Sequence, residues 1–164
     1  MIFSHAWGMA VFIGGRMEFT IERITLQNYP QFDDMCYWRE TGTERAKSNT
    51  PVCDAVKKEL SDPNFALYAA KADGRYVGWI ALAYIPKVSR LKGHGHVYVD
   101  ELWVQDDYRR NGIAKALLQK ADEQVKIWDA VGVRLYVNTE NPNAKALYEQ
   151  MGFAGEETAY FMEK

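Results

Sequence analysis

The chain has 164 residues, 48% of them hydrophobic and 26% charged, with a formal net charge of −2. That length suits one domain burying about two thirds of its unfolded surface in a single core, and the charge balance gives no electrostatic footprint for nucleic acid. No apolar run approaches the ~20 residues of a membrane span, so a cytoplasmic protein with neither a membrane nor a nucleic acid as partner is expected.

Cys36 and Cys53 are the two cysteines. They stand in no Cys-x-x-Cys spacing, so a disulfide framework and a zinc site are both unexpected, and reduced, buried thiols are the natural reading. His94 and His96 form a lone His-x-His without carboxylate or thiol company and read as surface imidazoles, so no metal is expected.

In chain order, residues 1–16 (MIFSHAWGMAVFIGGR) are apolar but lack the basic n-region and cleavage site of a signal peptide. They read as an N-terminal extension ahead of a domain over residues 17–164. Either Met17 is the true start, with a ribosome-binding sequence encoded at Gly14-Gly15, or the segment is an extra strand or arm packing on the body or on the mate in a homodimer. FTIERIT, from Phe19, alternates as a first strand. Asn28 caps a helix over residues 30–41 with Pro30 in its first turn and Gly42 at its end, and Thr50 caps a second with Pro51 first, running to Leu60. The spacing of Tyr29, Phe32, Met35 and Trp38 is that of a core-facing helical stripe. Residues 65–72 and 76–85 are strands joined across Asp73-Gly74, a hairpin signal.

The stretch from His94 to Ala130 organises the rest. The alternating HVYVDELWV passes through the polar turn QDDYRRNGIA into a helix on which Ile113, Leu117, Ala121 and Val125 recur every four residues, with Leu118 and Trp128 beside them. A strand handing over to a helix through such a turn aims several backbone N–H groups, and the positive end of the helix dipole, at one point. Gly112 lets backbone approach a ligand, Ala114 keeps the first turn free of bulk, and Arg109 and Arg110 bring charge that can fork onto phosphate oxygens. A diphosphate suits this turn. No GxxxxGK[ST] occurs, and the single Gly-x-Gly precedes a strand rather than a helix, which sets aside nucleoside triphosphates and dinucleotides. A strand over residues 134–139, a helix capped by Asn141 with Pro142 first and Gly152 after Met151, and a last strand over residues 158–162 complete the chain.

Arg109-Arg110-Asn111-Gly112-Ile113-Ala114 resembles the Arg/Gln-x-x-Gly-x-Gly/Ala signature of the GNAT superfamily of acetyl-CoA-dependent N-acetyltransferases, with Ala114 at the position where a second Gly is commoner. Asn141 to Phe153 (NPNAKALYEQMGF) resembles the Asn-x-x-Ala-x-x-Leu-Tyr-x-x-x-Gly-Phe motif that closes that family's cofactor site. The resemblance runs from about Phe19 to the C-terminus. It implies an α/β fold, a single-domain mixed and mostly antiparallel sheet flanked by helices, with two central strands splayed apart to admit acetyl-CoA. It implies cofactor contacts from Leu102, Trp103 and Val104 as an edge for the pantetheine arm, from Arg109 to Ala114 at the diphosphate, and from Asn141 and Tyr148. Trp38 and Glu40 would border the acceptor pocket.

Acetyl transfer to an amine needs a neutral nucleophile, and an alkylamine with a pKa near ~10.4 must first lose a proton. Asp100 and Glu101 are the candidate bases. Period-2 geometry puts them on opposite faces unless a bulge intervenes, and Asp100, sharing its face with Tyr98 and Leu102, is favoured because family members often carry the base on that parity. Either acid could instead pair with a neighbouring Arg or Lys. Tyr148 is the candidate acid, able to donate while uncharged at neutral pH. Direct transfer in a ternary complex to a primary amine of a small molecule is expected, because neither cysteine falls in a cofactor motif. A peptide or protein amine as acceptor, or a module that holds acyl-CoA without catalysis, are the alternatives.

Overall fold

The computed structural model describes residues 12–13, 16–45, 51–88 and 94–155. Two nearly continuous apolar runs make the middle of its sheet: β4 (Phe65–Ala72) and β5 (Arg75–Ile85). Such runs are buried on both faces, and a turn with Asp73 at φ 51° and Gly74 at φ 77° joins them, the left-handed pair that a tight hairpin of this twist requires. β3 (Thr20–Arg23) pairs antiparallel with the outer side of β4, and β6 (His96–Val104) pairs antiparallel with β5. β7 (Val133–Leu135) adds in parallel to β6, giving the order β3-β4-β5-β6-β7. A separate two-residue hairpin, β1 (Phe12–Ile13) with β2 (Arg16–Met17), precedes the sheet.

Helices cover the two faces. α1 (Tyr29–Thr41) and α2 (Asp54–Ser61) lie on one, where Phe32 and Met35 join Leu67, Trp79 and Ala81, with Leu60 packed against them. α3 (Ile113–Ile127) and α4 (Pro142–Gln150) lie on the other, where Ile113, Leu117, Leu118 and Ala121 meet Ile80, Leu82, Val97 and Val99. Ile80, Leu82, Ile113, Leu117 and Leu118 are fully buried, each stabilising the fold by about 1.5–3 kcal/mol. Buried Gln124 on α3 accepts a hydrogen bond from the Tyr68 hydroxyl at 3.0 Å, which removes the cost of an unsatisfied amide. The single mixed, mostly antiparallel α/β domain expected from the sequence is the one observed. The expected strand over residues 158–162 lies outside the described residues.

Several boundaries differ from expectation for local reasons. Asn28 does not cap α1: its Oδ1 accepts from the Thr25 N–H at 2.7 Å and its Nδ2 donates to the Arg23 carbonyl at 3.0 Å, so it braces the turn before the helix. α2 starts at Asp54 after an extended Cys53, not at Pro51; Asp54 sits in the first turn, where the helix dipole favours a carboxylate, and pairs with Lys57 at 2.8 Å. α3 stops at Ile127, short of Ala130, because Asp129 turns left-handed at φ 48° while Trp128 donates its indole N–H to the Pro63 carbonyl at 2.7 Å. β7 ends at Leu135, not Thr139, because its partner strand changes course.

Candidate active site

That change is a β-bulge in β6. Ala81 of β5 faces Glu101 while the next residue, Leu82, faces Val99, so Asp100 is an extra residue with no partner opposite it. A bulge shifts the side-chain alternation by one place. Val97 and Val99 before it, and Leu102 and Val104 after it, therefore all point into the α3 face. Glu101 and Trp103 point instead to the α1 face: Trp103 packs on Trp79 with ring centroids 4.8 Å apart, and Glu101 meets Arg39 of α1 at 2.6 Å. The expected sharing of one face by Asp100, Tyr98 and Leu102 does not hold, since the bulge sends Leu102 to the opposite core. Asp100 itself is exposed, and its carboxylate has no hydrogen bond or ion pair among the described residues.

Past the bulge the sheet opens. The last β6–β7 pair is Val99 with Leu135, while β6 stays paired to β5 as far as Val104. The side of β6 turned away from β5 is therefore an unpaired edge from Asp100 onward. Backbone direction alternates along an antiparallel pair. The Gln105 N–H donates to the Val77 carbonyl at 2.9 Å, which places the backbone groups of Glu101 and Trp103 on β5 and those of Leu102 and Val104 on the free edge. Trp103 thus spends its backbone on the sheet, a correction to its expected place on that edge.

β6 runs through a short 3₁₀ turn (Asp106–Tyr108) into α3. Arg109 folds back, donating its Nε to the Val104 carbonyl at 3.0 Å and pairing with Asp106 at 2.6 Å. Asn111 braces the same turn, its Nδ2 donating to the carbonyls of Tyr108 and Arg109 at 3.2 and 3.0 Å. Arg110 and Gly112 are left-handed at φ 65° and 85°, and a side chain at Gly112 would project into open space. Ile113 is anchored in the core, so only its backbone faces the turn. The first helical bond is Ala116 N–H to Gly112 carbonyl at 3.0 Å, and the N–H groups of residues 111–115 find no acceptor among the described residues. Those donors, the helix dipole and the exposed Arg110 make a cluster complementary to an anion.

α4 completes the α3 side. Asn141 caps it, its Oδ1 accepting from the Ala144 N–H at 3.1 Å, and Leu147, Tyr148 and Met151 pack on the same core cluster as Leu102 and Ala114. The Tyr148 ring meets Phe153 edge-on at 5.8 Å. Burial holds its phenol pKa above the ordinary value, and its hydroxyl has no hydrogen-bond partner among the described residues.

The chain belongs to the Acetyltransferase (GNAT) family. The model of that family matches residues 26–153, which contain every element of the site. An uncharacterised N-acetyltransferase of Mycobacterium tuberculosis is 33% identical over 95 residues, covering 57% of this chain and 56% of that protein. An N-alpha-acetyltransferase of Sulfurisphaera tokodaii is 32% identical over 103 residues, 58% of this chain and 60% of that one. The chain spans a little over half the length of these relatives. The solved structure of AAC(6′)-Iy in complex with the bisubstrate analogue CoA-S-monomethyl-acetylneamine superposes with a TM-score of 0.70 at 16% identity, over 90% of this chain and 98% of that one, which shows the fold.

Within this GNAT fold the structure brings Leu102, Val104, the 109–114 turn, Asn141 and Tyr148 to the α3 side of the opening, and Glu101 to the other. Three residues the sequence did not single out also border the site. Tyr98 stacks edge-on with the exposed Tyr136 at 5.9 Å, and its phenol pKa is raised by burial, with the Asp100 charge adding. Arg39 lies over the rings of Trp79 and Trp103, at 4.8 and 5.4 Å from their centroids. Arg39 was detectable: it falls four residues after Met35 and seven after Phe32, a charge on an apolar stripe. Tyr98 and Tyr136 gave no such signal, because they lie on different segments and meet only in the folded chain.

Both thiols are free and His94 is a surface imidazole, as expected, while the burial of the thiols and of His96 departs from expectation. Cys53 is exposed rather than buried. Cys36 is half-buried, and burial, with Asp33 and Glu101 adding, pushes its thiol up to about 12. His94 lies at the surface, its Nδ1 2.9 Å from the Asp129 carbonyl. The Nδ1 of His96 is buried without a partner among the described residues, and burial, with Arg134 and Lys87 adding, lowers its pKa. No helix among the described residues is long and apolar enough to cross a membrane.

Proposed function

We propose that the protein is an N-acetyltransferase that moves an acetyl group from acetyl-CoA to a primary amine of a small molecule, directly, in a ternary complex. The observation that carries this reading is the continuity of the unpaired β6 edge with the unsatisfied N–H groups at the start of α3. An amide-bearing arm fits the first and a diphosphate the second. The open space above Gly112 leaves room for the phosphates, and Arg110, Asn111, Ile113 and Ala114 lend backbone to them. Leu102 and Val104 hold the arm, Arg109 positions the turn by tying it to Val104, and Asn141 fixes the start of α4 on the facing side.

Bound acetyl-CoA supplies an activated acetyl group as a thioester. The protein supplies proton management on either side of the opening. Asp100, exposed and unpaired at the bulge, takes the proton of the incoming ammonium. Glu101 is the second candidate, held on the α1 face by Arg39. Tyr148 keeps its proton through burial and offers it to the thiolate sulfur of the product. A covalent acetyl group on Cys36 is disfavoured, because a thiol pushed up to about 12 is almost wholly protonated at neutral pH. The carboxylates of Asp100 and Glu101 suit a cationic amine, and the solved structure of AAC(6′)-Iy holds a bisubstrate analogue that joins CoA to acetylneamine. The N-alpha-acetyltransferase relative supports a second reading, in which the amine belongs to a polypeptide.

Calorimetric titration with acetyl-CoA tests the site. The wild-type protein should bind at one site, and Gly112→Glu, which sets bulk and negative charge among the anion-facing N–H groups, should nearly abolish binding while far-UV circular dichroism stays unchanged. Undiminished affinity in Gly112→Glu would overturn the assignment.

A further inference from the structure

The α1 side of the opening holds a cluster of indoles and an arginine to which proton transfer gives no role. Trp79 is 3% exposed and packs against Trp103, whose ring centroid lies 6.5 Å from that of Trp38. Lying over the Trp79 and Trp103 rings, with its Nη1 2.6 Å from Glu101 Oε1, is the Arg39 guanidinium. Two indole faces and a carboxylate converging on one point form the usual chemistry of an organic-cation site. Arg39 and Glu101 are only partly buried, at 40% and 43% side-chain exposure, so the guanidinium reaches this place from the solvent side and can leave by it. A pair this exposed is worth little as a salt bridge.

We infer that Arg39 is an internal occupant of the acceptor's cation site: a positively charged group of the acceptor displaces its guanidinium from Trp79, Trp103 and Glu101. Arg39 is then a specificity-determining residue. It sets a threshold that neutral amines cannot cross, because they gain neither the indole faces nor the carboxylate. It also keeps two apolar rings and a carboxylate covered while no acceptor is present. This inference rests on the acetyltransferase reading for the word acceptor, but the cation site itself is testable without turnover.

The test is binding of guanidinium and of n-butylammonium, each as the chloride at constant ionic strength, followed by tryptophan fluorescence. The proteins are the wild type, Arg39→Met, which keeps an aliphatic cover on Trp79, and Arg39→Gln, which keeps the length. At least one folded variant should bind both cations about tenfold or more tighter than the wild type, and adding Glu101→Gln should remove the gain. Uncharged butanol should show no gain. Unchanged cation binding in folded variants would overturn the inference, as would a gain indifferent to Glu101→Gln. Unfolding of both variants would overturn it too, marking Arg39 as a structural cover. Acetyl-CoA affinity, measured on the same samples, reports separately on the cofactor site, so failure of one reading is not mistaken for failure of the other.

Discussion

Tyr148 and Asp100 are asked to do opposite things, and their surroundings differ accordingly. Tyr148 packs on the α3-side core with its ring edge-on to Phe153, where burial raises its pKa, so the phenol stays protonated through the neutral range. The sign follows from that direction: the stability gained by burying the neutral phenol is fully present below its unfolded value near ~10 and is lost as pH rises through its higher folded value. Asp100 stands exposed at the bulge. Tyr148→Phe should lower turnover by roughly 10²- to 10⁴-fold at every pH, with acetyl-CoA affinity nearly unchanged, because the thiolate lacks its donor throughout. The Asp100→Asn defect should shrink as pH rises and more acceptor arrives already neutral. A pH series of turnover for both variants on one acceptor checks this. Wild-type turnover in Tyr148→Phe would leave Tyr148 a packing residue, and a pH-independent Asp100→Asn defect would move the base to Glu101 or a water.

At the level of elements, what the sequence declared was local chemistry and what it withheld was pairing. Asp73-Gly74, the four-residue recurrence after Gly112, Pro142 after Asn141, and Gly42 at the end of α1 each act within a few residues, and the structure shows them where they were expected. The bulge at Asp100 is set by registration against Ala81 and Leu82 of β5, which lie far from it in sequence, so the alternation of HVYVDELWV reads as unbroken. From that one extra residue follow the misassigned face of Leu102, the inward turn of the Trp103 backbone and the early end of β7. Asn28 misled for a related reason, since an Asn before a helix serves equally to cap it or to brace the preceding turn. The N-terminal hairpin is an element of its own. Met17 of β2 joins the main core, at 8% exposure. We propose that residues 1–16 are an extension of the 17–164 domain, so a chain beginning at Met17 should keep its acetyl-CoA affinity and most of its thermal stability. A large loss of melting temperature in a thermal scan would show that the hairpin is integral.

Over the whole molecule, a sheet covered on both faces normally keeps its two sides apart. Here the parting of β6 from β7 after Val99 removes the wall between the α1 side, with Glu101, Arg39 and the indoles, and the α3 side, with Tyr148 and the anion-facing turn. The proposed reaction uses both sides at once, with amine entering from one and thioester lying along the other, and it needs no covalent stop on the protein.

The measurement that meets this claim most directly is a single-turnover reaction with equimolar acetyl-CoA and a panel of amines and peptides, following free CoA, acetylated amine and the intact mass of the protein together. The account predicts that CoA appears only when a cationic small amine is present, in step with its acetylated product, and that the protein's mass never changes. CoA release without an acetylated amine, an acetyl group carried on Cys36 or Cys53, or acetylation confined to peptides would contradict it.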